Sequence, residues 1–229
     1  MPETTTMPPP LTLIVAATPK NGIGKNGALP WPMLKKEMAY FARVTKRVPN
    51  SAGTTKAEGD PTTTTPSTTR RNAVIMGRKT WDSIPPRFRP LKDRTNVVIS
   101  SQDRASIPSL KDTDESDVIV SSSILAALGD LEKGVKEGKV PELGRAFVIG
   151  GARVYEAALG LECARHVLLT RLGSEFECDT FFPDLLGEGG GWVKRGRGEL
   201  EGFVGEEVQE GGLVEEGVGF EFQLWERES

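Results

Sequence analysis

The chain has 229 residues, 37 % of them hydrophobic and 27 % charged, and a formal net charge of −3. That length can bury a sizeable core in one domain, or two at most, and the mild acidity offers no general attraction to nucleic acid or to anionic membranes. His166 is the single histidine, which eliminates HExxH zinc sites and weighs against a Ser-His-Asp triad, so acid–base chemistry is expected to depend on a carboxylate.

The first ten residues, MPETTTMPPP, lack a basic n-region and read as a flexible N-terminus. The apolar run Leu11–Ala17 is too short to span a membrane, so it reads as a buried strand and the chain as cytoplasmic. Met33–Val44 carries Leu34, Met38, Phe41 and Ala42 at helical spacing. Residues 51–69 are rich in Ser, Thr, Gly and Pro, too poor in apolar surface to offset their ordering entropy. A long surface loop, inserted at about 49–70, is the expectation. Ala73–Met76, Asn96–Ser100, Val118–Val120 and Ala146–Ile149 read as strands whose β-branched content favours a sheet covered on both faces. Helices are expected at Ser123–Leu131, where the serine can cap, and at Ala152–Leu161 after a glycine pair.

Cys163 and Cys178 lie outside any CxxC and read as core or loop thiols, and no metal site is expected. His166–Arg171 and Phe220–Trp225 look like strands, the second with period-2 alternation, and His166 reads as a packed strand residue. Residues 187–219, rich in Gly and Glu, read as a long connection plus a weak hairpin. The alternation of strands and helices gives an α/β class, with one domain over residues 11–229 and two insertions.

Four constellations could carry chemistry. In Asn21–Pro32, NGIGKNGALPWP, the residues Gly22, Gly24 and Gly27 permit close backbone approach over a flat or phosphorylated ligand, or simply make a surface turn. Trp31 ends that segment and can wall a planar ligand. Glu37 follows beside Met38, near the apolar stripe. It is either a solvated helix carboxylate or a pocket group whose pKa desolvation would raise towards neutrality. In VIMGRKTWDSIPP (74–86) a strand ends at Gly77, and Arg78, Lys79 and Thr80 open a helix, an arrangement for an anion or an ordinary turn with solvated cations. FVIGGARVY (147–155) repeats the strand–glycine–helix pattern, for phosphate approach or for packing. Two such turns in one open α/β sheet place a cleft at the carboxyl ends of the strands and favour a dinucleotide-like ligand.

In this order, NGIGKNGALPWP (21–32), VIMGRKTWDSIP (74–85), RPLKDRTNVVIS (89–100), VIGGARVY (148–155) and DTFFPDL (179–185) resemble the dihydrofolate reductase family, in its eukaryotic form with insertions. The resemblance implies a single-domain α/β fold: a mixed, mostly parallel central sheet flanked by helices, with an antiparallel C-terminal strand. It implies NADPH as cofactor, dihydrofolate as substrate, antifolates such as methotrexate as inhibitors, and a monomer. Glu37 would contact the pterin's 2-amino group and N3 and promote protonation at N5 through an ordered water. Thr170 would hydrogen-bond Glu37 or the pterin, and Trp31 would hold that water. Ile14, Val15 and Ala16 would line the pterin and nicotinamide pockets, with Met38 and Phe41 on the pterin and benzoyl rings. Arg94 would grip the α-carboxylate of the glutamate tail, between walls of Ile84, Pro85 and Leu91.

For the cofactor, the resemblance implies that Gly22, Ile23, Gly24, Gly27 and Ala28 cover the nicotinamide ribose. Gly77, Arg78, Lys79 and Thr80 would meet phosphates, and Gly150, Gly151, Ala152, Arg153, Val154 and Tyr155 would surround the pyrophosphate, with a cis peptide at Gly150–Gly151. One departure stands out. Where eukaryotic relatives commonly have Ser-Arg after the third strand, this chain has Ser100, Ser101 and Gln102, and a second basic position is Ser122. The 2′-phosphate would then rely on Arg78, Ser100 and Arg104. Two other readings share the fold: a pyrimidine reductase of riboflavin synthesis, and a non-catalytic pterin- or nucleotide-binding protein.

Overall fold

Short apolar runs dictate the frame. In the computed structural model, residues 8–49, 70–111, 113–114, 117–184 and 191–228 are described. The insertion expected at about 49–70 lies almost wholly outside them, as do residues 1–7 and 187–190. In chain order the strands are β1 (Leu11–Ala17), β2 (Gly22–Gly24), β3 (Arg71–Gly77), β4 (Arg94–Ile99), β5 (Val118–Ser121) and β6 (Leu143–Val148). They continue with β7 (Ala164–Leu172), β8 (Thr180–Phe181), β9 (Trp192–Lys194), β10 (Leu213–Glu215) and β11 (Val218–Arg227). The helices are α1 (Lys35–Lys46), α2 (Arg78–Ser83), α3 (Ile124–Lys136), α4 (Ala152–Leu159) and α5 (Arg197–Val204).

The main sheet has the order β10-β11-β7-β1-β6-β3-β4-β5, with β9 also on β11. Strands β7 through β5 in that order pair in parallel, whereas β11 runs antiparallel to β7. Period-2 geometry sends Ala73 and Ile75 to one face and Val74 and Met76 to the other, all 0 % exposed. Helices α3 and α4 cover the first face through Leu128, Leu131 and Ala158. Helices α1, α2 and α5 cover the second through Tyr40, Val44, Trp81, Leu200 and Val204. Each fully buried aliphatic side chain contributes about 1.5–3 kcal/mol, so both faces add to stability. Ser123 caps α3 as expected, its Oγ accepting from Ala126 N at 3.1 Å.

Three expectations change. Helix α1 runs from Lys35 to Lys46 rather than from Met33 to Val44, because the Pro32 segment delays its start. Its buried face is Glu37, Tyr40, Val44 and Thr45, with Leu34 buried at its N-cap; Met38, read as part of the apolar stripe, is 41 % exposed. Residues 191–219 are more than a connection and a hairpin, since they also form β9 and α5. The hairpin is there, turning through Glu216 and Gly217, both at positive φ. Helix α5 ends on Gly205 at φ 71, a left-handed position where a side chain would be strained.

Candidate active site

The parallel order has a switch point between β6 and β3. After β3 the chain moves towards β4 and β5, whereas after β6 it crosses β1 to reach β7. Diverging connections open a crevice at the carboxyl ends of those strands. The two strand ends are tied, with Gly77 N donating to Gly150 O at 2.7 Å.

On one side of the crevice lies Glu37, 8 % exposed on the inner face of α1. Thr170 on β7 donates its hydroxyl to Glu37 Oε1 at 3.3 Å. Burial pushes the Glu37 carboxyl up to about 7, with the Thr170 hydrogen bond pulling in the other direction. A carboxyl titrating there can hold and release a proton near neutral pH. Trp31 is buried just before α1, edge-on to Phe176 with ring centroids 6.0 Å apart. Ile14 and Val15 are buried in β1, and Ala16 is half-buried. Tyr155 on α4 donates its hydroxyl to Ile14 O at 2.7 Å, fixing α4 against β1.

About two turns further along α1, roughly 12 Å at 1.5 Å per residue, stands the Arg94 guanidinium. Arg94 is 7 % exposed, and burial pushes its pKa down to about 10 while Asp93 pulls it back up. Its Nη1 donates to Thr45 Oγ1 at 2.9 Å and its Nε to Lys92 O at 3.0 Å. The loop before it is held by Asn96, which accepts from Leu91 N at 2.9 Å and donates to the carbonyls of Leu91 and Arg94, each at 3.0 Å. Phe41, Ile84 and Leu91 pack as partly buried residues against the cluster that contains Ile14, while Pro85 and Met38 are exposed. Glu37, Phe41 and Thr45 fall at i, i+4 and i+8, one row along the helix.

The opposite side of the crevice is built differently. Arg78 pairs with Asp82 at 3.1 Å one turn on, Lys79 is exposed and Thr80 half-buried. The Gly150–Gly151 peptide is cis, and Gly150 has φ 114, a conformation that disfavours any side chain. A Cβ on Gly151 would come within 3.3 Å of Thr80 Oγ1, so the two glycine turns meet closely. Ala152 and Val154 are half-buried, and Arg153 is exposed. Cations, a hydroxyl and bare backbone at one sheet end suit a ligand that carries phosphates.

Along the third edge, Ser100 Oγ accepts from Gln102 N at 3.0 Å, and Ser101 and Gln102 are exposed. Arg104, expected to help there, instead directs its guanidinium to Val118 O and Thr113 O, both at 2.6 Å. Backbone carbonyls beyond the strand end hold it, and this corrects the expectation.

The segment Gly22–Ala28 is no free turn. Strand β2 pairs with β8, and Lys25 bridges Ala28. Asn26 N donates to Asp179 Oδ2 at 2.7 Å, and Phe182 N to Asn21 O at 2.8 Å. Residues 179–182 are therefore what brace it. Gly22 itself is buried where a Cβ would collide with the Cys178 side chain, which gives it a packing reason beside any binding one. Ile23 and Gly24 are half-buried, whereas Gly27, at φ 76, and Ala28 are exposed.

Sequence reasoning missed Thr45, Asn72 and Tyr40. Asn72 is 0 % exposed at the head of β3, and a polar residue starting the apolar run NAVIM was the available signal. Tyr40 is stacked on Phe222 at 3.7 Å with its hydroxyl buried and unpartnered among the described residues. Among those residues no cluster of His, Cys, Asp and Glu could hold a metal ion.

The sequence profile of the dihydrofolate reductase family matches residues 65–195. Dihydrofolate reductase of Pneumocystis carinii is 37 % identical over 221 residues, covering 95 % of this chain and 97 % of that protein. The rat enzyme of that name is 36 % identical over 218 residues, covering 95 % and 97 %. Among solved structures, Schistosoma mansoni dihydrofolate reductase superposes with a TM-score of 0.68 at 30 % identity, over 96 % of this chain and 99 % of that one. With a family profile over more than half its length and relatives this similar from end to end, the chain belongs to the dihydrofolate reductase family.

Proposed function

We propose that this member of the family reduces 7,8-dihydrofolate to 5,6,7,8-tetrahydrofolate through a site in which Glu37 governs the proton delivered to N5 and Arg94 holds the far end of the substrate. One observation carries the reading: a buried carboxyl raised to about 7 and a buried guanidinium both meet the same row of α1. The separation of roughly 12 Å along the helix suits an extended molecule with a pterin at one end and a carboxylate at the other.

Glu37 accepts from the pterin's 2-amino group and N3, and Thr170 keeps its carboxyl oriented. Trp31 closes that end and holds the water that passes the proton to N5. Met38, 41 % exposed, and half-buried Phe41 offer apolar surface to the pterin and benzoyl rings. Ile84, Pro85 and Leu91 wall the tail, and Arg94 takes its α-carboxylate, ideally by two parallel hydrogen bonds. The dinucleotide NADPH fits the glycine-rich, cationic side, and when bound it supplies the hydride that C6 receives. Gly22–Ala28, Gly77–Thr80 and Gly150–Tyr155 are the segments that would hold it, with Ser100, Ser101 and Gln102 near the adenosine end.

The same reading makes the chain a one-domain, monomeric, cytoplasmic enzyme of one-carbon metabolism, supporting thymidylate synthesis and inhibited by methotrexate. No helix among the described residues is long and apolar enough to cross a membrane. The riboflavin-pathway reductase and the non-catalytic binding protein are not favoured, since the relatives named above are all dihydrofolate reductases. The test follows absorbance of NADPH with dihydrofolate, with and without methotrexate. Folate-dependent, methotrexate-sensitive oxidation is the expected result, and its absence would refute the reading.

A further inference from the structure

A chain of buried polar contacts runs from the middle of the sheet to Arg94, and the reaction itself leaves it unused. Asn72, at the head of β3, donates from Nδ2 to Thr45 O at 3.0 Å and to Arg47 O at 2.9 Å. Its Oδ1 accepts from Arg145 N on β6 at 2.8 Å, so the amide's orientation is fixed from both ends. The neighbouring residue on β6 is Gly144, where a Cβ would collide with that oxygen. Asn72 thus pins the last turn of α1 to the sheet. In that turn Thr45, 0 % exposed, donates its hydroxyl proton to Phe41 O at 2.7 Å. With its proton committed, Thr45 Oγ1 can only accept, and what it accepts is Arg94 Nη1–H at 2.9 Å.

Two anchors therefore set the guanidinium plane: Lys92 O on Nε and Thr45 Oγ1 on Nη1. No carboxylate of the described residues forms an ion pair with Arg94; Asp93 is paired with Lys46 instead, at 3.0 Å. A buried cation held by neutral acceptors keeps its charge for an incoming anion, and its orientation decides whether two parallel hydrogen bonds can form.

We propose that Thr45, locked in place by Asn72, is a positioning residue that orients Arg94 towards the substrate's α-carboxylate. The inference rests on the reading of Arg94 as the tail-binding residue. It adds a coupling: the helix that carries Glu37 at one end sets the carboxylate-binding geometry at the other. Thr45 touches neither the pterin nor the cofactor, so its loss should be felt only by substrates that carry the tail.

The experiment compares Thr45→Val and Thr45→Ser with the parent enzyme on two substrates, dihydrofolate and a 7,8-dihydropterin lacking the benzoylglutamate. Valine keeps the volume but removes the acceptor; serine keeps the acceptor. Thr45→Val should raise KM for dihydrofolate about tenfold, the scale of one hydrogen bond to a charged group, with kcat within about twofold on that scale. It should leave kcat/KM for the dihydropterin unchanged, and Thr45→Ser should restore the parent KM. Equal losses on both substrates, an unchanged dihydrofolate KM, or a serine variant as poor as valine would overturn the proposal. Should the valine variant not fold, Thr45→Cys, with its weak acceptor, replaces it under the same criteria. A parent enzyme that reduces neither substrate refutes the functional reading and the proposal with it. A parent active on both, with variants that do not discriminate, refutes the proposal alone.

Discussion

The two sides of the cleft are built on opposite principles. On the side proposed for the substrate the polar groups are buried and already bonded: Glu37 to Thr170, Arg94 to Thr45 and Lys92, Asn96 around Leu91. On the side proposed for the cofactor the cations are half-buried or exposed, Arg78 is paired with its own helix, and bare glycine backbone makes the surface. A buried polar group that loses its partner costs far more than an exposed one, because water cannot replace the partner. The first side should therefore be brittle and selective, and the second tolerant.

The sharpest way to break that contrast is at Glu37. Glu37→Gln should lower kcat by about 100-fold or more, the usual scale of a lost general acid or base, with dihydrofolate still bound. The same change alters stability. In the folded chain Glu37 keeps a proton up to about pH 7 that the unfolded chain releases near 4.5, so stability falls as pH rises through that window. The penalty is absent below it and complete above it, up to about 3 kcal/mol, and Glu37→Gln should remove it. Denaturant midpoints at pH 5 and pH 8 measure this, and a variant no more stable than the parent at pH 8 contradicts the burial.

Arg94→Lys comes next. A lysine cannot hold both Thr45 and Lys92 O while presenting two parallel donors, so KM for dihydrofolate should rise by about tenfold or more, with little change in the KM for NADPH. On the tolerant side, Arg78→Ala should raise the NADPH KM only a few-fold, about 1 kcal/mol for an exposed cation. The effect should shrink as salt is added. A larger loss at Arg78 than at Arg94 would invert the comparison. The smallest effect is expected at Tyr40, whose hydroxyl is buried with no partner among the described residues. Tyr40→Phe should leave turnover intact and stabilise the chain by up to about 1 kcal/mol, read as a rise in Tm.

The same contrast governs what the sequence made legible. Strands such as Leu11–Ala17 and Ala73–Met76 announce themselves because a parallel sheet covered on both faces needs unbroken apolar runs. The pattern around Glu37 leaves a solvated and a pocket reading both open, and only the family resemblance, with LPWP upstream of it and Thr170 and Arg94 far along the chain, gives it a role. The buried face of α1 departs from the expected stripe where the helix borders the crevice. There the apolar Met38 is left exposed, while Glu37, Tyr40 and Thr45 turn inward, so the usual stripe rule fails at the place where function is built. Helix α5 was missed because Gly198 and Gly202 weaken the helical signal, and its formation depends on burying Leu200 and Val204. The network of Asn72, Thr45 and Arg94 joins residues far apart in sequence, and no local pattern encodes it. Arg104 misled because a basic residue near a strand end looks available until its carbonyl partners are seen.

The bracing of α1 has a consequence for how the chain reaches its active form. Arg43 meets Glu206 at 2.9 Å, Arg47 meets the same carboxylate at 3.1 Å, and Arg47 Nη1 donates to Val204 O at 2.6 Å. Helix α1 and Asn72, which pins its last turn, are made early, whereas Val204 and Glu206, which also brace that turn, and Thr170, which meets Glu37, are made late. Contacts of such long sequence separation slow folding, because loop closure has to precede the reward. The Glu37–Thr170 contact joins residues 133 apart in sequence, and the braces of α1 on Val204 and Glu206 join residues 157 and 163 apart, so this corner of the fold closes only once β7 and α5 are both in place.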